Sequence, residues 1–389
     1  MIVRISHFWL TTRFLILFII VAFIGGSENL WSQDSKDKDE LPPGWWQLPK
    51  LDTRLNLGGY VKLDYIQDFN PIGSPDFFNT ATIPTDGSTG SSANLNAKET
   101  RLHLDAIRGT GIGDIRLYIE GDFFGTNGAF RLRHAFVDIA DKWRAGQWWS
   151  NFMDEDIIPA TLDFEKPAAY VFIRQPLIRY KHALGSSYIA FSIEKPSKIG
   201  QQPEQDGAFF SPIPDITVRY RHNRDWGHLQ LSTYYALMQY RYEEGGDVNT
   251  SLYGLNLSGI IRILGEDRLG FQGVYGPGIG RYRGGGSTAL NEDGTIDALT
   301  EFGIFFSYEH YWSKKWTSLL VYNYGDIDNT LGQPEGSPHA TGYVAANLIW
   351  HFIDNAFVGM EYLRGFREDF DGSRGYANRL QISVKYTFN

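Results

Sequence analysis

The chain has 389 residues and no cysteine, no basic tract, and only one apolar run long enough to matter. Each absence excludes something. Without cysteine there is no disulfide framework, and a lipid anchor on an N-terminal cysteine is ruled out. The formal charge of -9 with no basic stretch gives nucleic acid nothing to hold, so no nucleic-acid partner is expected. Catalytic signatures are missing too: no Gly-x-Ser-x-Gly elbow, His-Glu-x-x-His pair, phosphate loop or EF-hand spacing occurs. The 9 histidines are scattered without ligand spacing, and Gly284-Gly285-Gly286 is a flexible stretch with no following helix. No enzyme, cofactor or metal site is therefore expected.

What is present is glycine and aromatic side chains: 42 Gly, 26 Phe, 22 Tyr and 11 Trp. With a negative mean hydropathy, this composition suits many amphipathic strands better than helices. The last ten residues show the pattern most clearly. Leu380, Ile382, Val384, Tyr386 and Phe388 share one parity, and Gln381, Ser383, Lys385 and Thr387 the other. Strand side chains alternate between faces, so one face is apolar and the other polar. The apolar face ends in aromatics, as a lipid-facing strand does at the headgroups.

The apolar run Phe14–Ile24, preceded by Arg4 and Arg13, is too short to span a bilayer comfortably and fits a signal-peptide core. Residues 1–32 are read as a signal peptide and 33–52 as a short acidic periplasmic tail. Leu41–Pro49, with its Pro-Pro-Gly-Trp-Trp, reads as a lead-in to the first strand.

Sixteen candidate strands follow: 54–69, 94–108, 113–124, 129–140, 143–149, 169–182, 186–195, 213–223, 226–242, 250–264, 268–279, 299–312, 315–324, 342–353, 356–366 and 375–388. Their connections alternate between seven tight turns and eight mostly longer loops. An outer-membrane barrel sorts its connections this way, with short periplasmic turns and long external loops. A closed barrel also satisfies every backbone group in hydrocarbon. At this strand number it leaves an aqueous channel. The expected fold is all-β, a 16-stranded antiparallel transmembrane barrel over 53–389 in the bacterial outer membrane, contacting its lipid.

If the apolar parity faces lipid, the other parity lists the lumen, and arginine is prominent there. Arg101, Arg116, Arg131, Arg133, Arg179, Arg219 and Arg221 are the candidate pore-lining residues, with Arg262, Arg379, Lys62 and Lys385 on the same parity. They offer an electropositive track for small anionic solutes, each guanidinium a planar fork for a carboxylate. Lumenal acids such as Asp64, Asp105, Glu120, Asp122 and Asp215 are placed to pair with some of them. His103 falls on the lumenal parity and His134 on the other. The segment 150–168 carries Asp154, Glu155 and Asp156, then Asp163 and Glu165. It is expected to fold inward as a constriction loop, its acids facing the arginines.

Residues 131–138 (Arg-Leu-Arg-His-Ala-Phe-Val-Asp) and 146–154 (Gly-Gln-Trp-Trp-Ser-Asn-Phe-Met-Asp) carry a family resemblance. So do 159–164 (Pro-Ala-Thr-Leu-Asp-Phe), 174–180 (Arg-Gln-Pro-Leu-Ile-Arg-Tyr) and the opening Leu57-Gly58-Gly59-Tyr60-Val61-Lys62-Leu63-Asp64. In order and spacing this region, about 55–180, resembles the DcaP-like trimeric outer-membrane porins. The resemblance implies a homotrimer of sixteen-stranded barrels and passive uptake of small anions, dicarboxylates in particular. It also implies that Arg131, Arg133 and Arg179 line the pore and that 150–168 narrows it. The chain departs from the family in lacking the long N-terminal helical extension of some members, and in ending Phe388-Asn389 instead of on an aromatic.

The reading is a porin for passive diffusion of small hydrophilic, preferentially anionic solutes. Two alternatives stand beside it: a structural barrel or adhesin without conductance, and a sugar-selective channel using Tyr60, Tyr118 and Tyr234 as an aromatic slide.

Overall fold

The structure, a computed structural model, describes residues 41–49, 51–165, 168–196 and 207–388. The signal-peptide segment and residues 33–40 and 50 of the tail lie outside the described residues. The barrel strands are β1 (Thr53–Asp68), β2 in two parts (Ser92–Asn96 and Arg101–Arg108), β3 (Ile115–Asp122), β4 (Arg131–Ile139), β5 (Trp143–Trp149), β6 (Arg174–Leu184) and β7 (Ser187–Glu194). They continue as β8 in two parts (Gly207–Phe210 and Asp215–Arg224), β9 (Gly227–Tyr242), β10 (Asp247–Ile263), β11 (Asp267–Pro277) and β12 (Thr300–Ser313). The last four are β13 (Trp316–Asp328), β14 (Pro338–Ile353), β15 (Ala356–Asp369) and β16 (Arg374–Phe388). Each pairs antiparallel with the next, and β16 returns to β1 from Phe388↔Gly59 to Arg379↔Asp68, closing a 16-stranded barrel.

Alternation places Leu57, Val61, Leu63 and Tyr65 of β1 on the outer surface, each at least 40% exposed, while Lys62, Asp64 and Asp68 are buried inside. The same holds for Ile382, Val384 and Tyr386 against Gln381 and Ser383 on β16. Tight turns close one end. Ala140 and Asp141 adopt φ of 52° and 54°, the left-handed pair that matches the twist of a two-residue hairpin. Short turns of outer-membrane barrels face the periplasm, and that sets the orientation.

The closure is staggered, so β16 leaves residues 53–58 of β1 without a partner on that side. The lead-in segment becomes a short strand, Trp45–Leu48, paired with 53–56. It covers an edge whose open backbone groups would otherwise be costly.

The interior departs from a uniformly polar tube. A dry core fills the half of the lumen beside β8–β12, built from inward Tyr234, Met238 and Tyr240 of β9, Phe305 of β12, Phe152 and Met153, and Tyr282 of the 278–299 loop. A second cluster seats Phe78 and Ile83 of the 69–91 loop on Tyr343, Leu363 and Ala377 of β14–β16. Tyr234, one of the aromatics read as a sugar slide, is 2% exposed within the first core and lines no open space. Apolar side chains on both faces of β9 are the signature of this filling, and binary parity alone does not distinguish it from lipid exposure.

Candidate functional site

The segment after β5 folds into the barrel and is anchored on a long arc of wall. Phe152 O accepts from Ser232 Oγ at 2.7 Å and Asn256 Nδ2 at 2.9 Å. Ala160 O accepts from Asn347 Nδ2 at 2.9 Å, and Leu162 N donates to Glu361 at 2.9 Å. Lys62 Nζ donates to Leu162 O at 2.6 Å. The segment thus runs inside β8–β16 and reaches β1. The next strand begins at Arg174 and not at 169, because Ala169, Tyr170 and Val171 are wholly buried against the interior; Gln272 of β11 holds Ala169 O at 2.8 Å.

Asp154, Glu155, Asp156 and Asp163 meet arginines of the lumenal parity, Arg219, Arg221 and Arg379, on the wall the loop lies against, and not Arg101, Arg131 or Arg133 across the pore. Asp154 lies 2.8 Å from both His228 Nε2 and Ser258 Oγ, and 3.3 Å from Arg221. Asp156 also bonds Arg221. Glu155 takes Arg219 Nη1 at 2.9 Å. Burial opposes the charged form of Glu155, but Arg219 and Arg179 outweigh it and hold its pKa down at about 2. Asp163 accepts from Arg379 at 2.9 Å. Arg219 and Arg379, at 1% and 0% exposure, are brackets for the loop and do not line open space. Arg221 serves the same bracket. The physical reason is that an inward-folding loop must satisfy its buried carboxylates nearby, and the wall it lies on supplies the cations. Asp154, Asp156 and His228 present ligand atoms within 4.8 Å of one another, but Arg221 already fills the cationic role there.

Opposite the loop, the wall β16–β6 remains open and cationic. A cavity of about 360 Å³ is lined on the loop side by Ile158, Phe164 and Phe172, and on the wall side by Arg101, Arg133, Arg174 and Lys385. These cations sit on β2, β4, β6 and β16, with one strand between successive members. Two acids, Glu99 and Glu120, share the lining. Arg133 Nε donates to Glu120 at 2.8 Å and Nη1 to Asp122 at 2.8 Å. Arg101 stands 4.0 Å from Glu120 and lies over the Tyr60 ring at 5.5 Å. Arg101 Nε and Arg174 Nη1 are buried without a hydrogen-bond partner among the described residues.

The other sequence candidates lie above, below or beside this cavity. Arg131 grips Asp122 through Nε at 2.9 Å and Nη2 at 2.7 Å, on the long-loop side. Arg116 does the same with Asp105 at 2.9 and 2.7 Å, toward the tight turns. Arg179 is 9% exposed, directly across from Arg144, and does not reach the cavity.

A β-bulge changes the parity of β4. Gly121 pairs with Leu132 and Glu120 with His134, so Arg133 is the extra residue. Arg133 and His134 therefore both project inward, and His134, assigned to the outer parity, instead packs on Trp148 at 4.1 Å in the cavity wall. Arg174 was not singled out from the sequence for a related reason. As the first residue of β6 it is not bound by alternation, and it joins Trp149, its cross-strand neighbour, in the cavity.

The cavity belongs to a series. On the long-loop side a chamber of about 190 Å³ shares Phe172 with it. On the tight-turn side a chamber of about 270 Å³ shares Glu99 and Lys385 with it. The three run from the external loops to the periplasmic end.

The barrel is similar in structure to the outer membrane channel DcaP of Acinetobacter baumannii, at 22% identity and a TM-score of 0.79, covering 87% of this chain and 98% of that one. It is also similar to an anion-selective porin from Comamonas acidovorans (12% identity, TM-score 0.59, 86% and 100% covered). A third likeness is to OmpF of Salmonella typhi in complex with daunomycin (10%, 0.55, 87% and 98%). At these identities the likeness shows the fold. No curated protein matches the sequence. The family model of the DcaP outer membrane protein matches residues 48–388, from the lead-in strand to the end of β16, so this chain belongs to the DcaP family and is a porin-type channel of the bacterial outer membrane.

Proposed function

We propose that the channel favours small hydrophilic anions, carboxylates and dicarboxylates among them, and that the 150–168 loop is its constriction. The observation that carries this reading is the lining of the central cavity: four cations against two acids, with two guanidinium nitrogens buried and unpartnered among the described residues. A buried donor left unmade costs about 1–3 kcal/mol, more when charged. A passing carboxylate meets the part of these guanidiniums that faces the cavity, a planar fork against a planar anion, with the Arg101 side chain 24% exposed. Arg133 is already satisfied by Glu120 and Asp122, so it adds field without a deep trap, as conduction requires. The acids of the loop support the lumen indirectly. They hold an apolar surface, Ile158, Phe164 and Phe172, against the cationic wall.

The sugar-selective alternative finds rings in the lumen: His103, Tyr118, Phe136 and Trp148 adjoin one another on β2–β5. Their faces are occupied, however. Arg144 lies 3.9 Å over Phe136 and 4.6 Å over Trp148, and Arg116 lies over Tyr118 and Phe136 at 5.3 and 5.8 Å. A stacking sugar would have to displace these guanidiniums.

We place three barrels in the working assembly, in keeping with the family resemblance of residues 55–180; native mass measurement of the detergent-extracted protein checks it. The functional test is single-channel recording in a planar bilayer under a salt gradient, then with succinate. An anionic reversal potential with succinate-induced flicker supports the reading. Conductance without ion preference leaves a general porin, and no conductance from folded protein favours a structural barrel.

A further inference from the structure

Behind the loop, at the periplasmic end of β8–β11, lies a separate alcove of about 630 Å³ whose lining residues are shared with none of the three chambers in series. Its walls bring together Arg221, Arg224, Arg262 and Arg268, with Glu155 and Asp156 at the roof. Above the roof sits the dry core around Phe152, Met153 and Ile157, so the alcove is closed toward the outside.

The charge is unevenly matched. Glu155 is engaged by Arg219 from outside the alcove, and Asp156 by Arg221. Arg268 shares Glu309 at 3.4 Å and donates to Asp156 O at 3.2 Å. Arg224 reaches only neutral oxygens, Asn223 O at 2.9 Å and Ser186 Oγ at 3.4 Å. Arg262 has no acidic partner among the described residues, and it stands directly opposite Arg268 across the β10–β11 pair. Like charges facing each other across antiparallel strands are destabilising. Here two such guanidiniums converge with a third and fourth on one concave space. Arg224 and Arg262 are both exposed, and neither pairs with a carboxylate among the described residues.

We infer that this alcove is a second anion site, facing the periplasm, that takes a small multiply charged oxyanion of the phosphate class. A phosphate or pyrophosphate presents several oxygens to several forks at once, and Arg224 and Arg262 have no carboxylate to give up on binding it. It is a blind pocket and not part of the permeation track, so its ligand binds from the periplasmic side. Arg221 lines the alcove and also brackets Asp154 and Asp156, so an occupant there acts next to the anchor of the constriction loop. The inference does not rest on the selectivity of the central cavity.

Inorganic pyrophosphate titrated calorimetrically into the purified, folded channel tests it. Saturable binding is expected, weakened by salt, and at least tenfold weaker in Arg224→Gln/Arg262→Gln. The same variant is expected to keep its reversal potential in a salt gradient, and Arg101→Gln/Arg174→Gln is expected to keep its pyrophosphate affinity. Wild-type affinity in Arg224→Gln/Arg262→Gln, loss only in Arg101→Gln/Arg174→Gln, or no saturable binding at all would overturn the assignment. Circular dichroism and heat-modifiability on gels establish that each variant is folded.

Discussion

Arg379 Nη1, on the last barrel strand, donates to Asp163 Oδ2 of the inward loop at 2.9 Å, joining residues 216 apart in sequence. The same guanidinium holds Asp68 through Nε at 2.7 Å and Nη2 at 2.9 Å. One side chain thereby ties together the seam of the barrel, where β16 meets β1, and the far reach of the loop. Glu361 completes the anchor, accepting from Leu162 N and Asp163 N at 2.9 Å each.

Breaking that tie should free the loop without opening the barrel. Asp163→Ala leaves Arg379 buried beside Asp68 with one partner lost; truncating one side of a buried pair costs about 3–5 kcal/mol. The expected result is a lower unfolding temperature and noisy, enlarged conductance in single-channel records. Steady wild-type conductance would mean the loop is held elsewhere.

The cationic wall should behave differently. Arg101→Gln/Arg174→Gln removes two guanidiniums that each leave a buried nitrogen unpaired, so little stability is lost. The permeability ratio is expected to move several-fold toward cations, with melting unchanged or raised. An unchanged reversal potential would remove these two residues from the selectivity device.

Arg131→Gln/Arg133→Gln should shift selectivity the same way but at a structural cost. Both arginines neutralise Asp122, which is 0% exposed, and Arg133 also neutralises Glu120. The double variant strands these acids, so cation preference should come with a stability loss on the order of 3–5 kcal/mol. Urea unfolding read by tryptophan fluorescence measures the second effect.

Glu155 gives a pH signature. Its folded pKa of about 2 is below the ordinary glutamate value of 4.5, so its contribution is fully present above 4.5 and is lost as pH falls through about 2. The melting-temperature gap between wild type and Glu155→Gln should therefore be constant from pH 7 to 5 and shrink below 4.5. A gap that vanishes already at pH 5 would contradict the Arg219–Glu155 bracket.

Much of the fold is legible in the sequence because its determinants are local. Leu380 to Phe388 must put alternate residues on opposite faces, and a strand crossing hydrocarbon must keep one of those faces apolar. Short connections such as Asp141-Lys142 add the end-to-end asymmetry. The family resemblance of residues 55–180 points to the same barrel and to the inward loop after Trp149. Arg101 and Arg133 could be placed on the lumenal parity from pattern alone.

What pattern could not reach is which lumenal charges meet an acid and which stay open. Arg219, Arg221 and Arg379 look identical to Arg101 in a parity list, yet the loop draws the first three into its anchors, and only the closed barrel determines where it lies. A single extra residue at Arg133 turns His134 inward, a register event that exists only between two paired strands. The dry core that fills the lumen beside β8–β12 is likewise a product of loops and wall meeting across the barrel. Sequence determined that this chain is a barrel with a charged interior, because alternation is a property of the strand itself. Tertiary structure decided which of those charges are spent on ion pairs, because the partners lie from tens to hundreds of residues away in the chain.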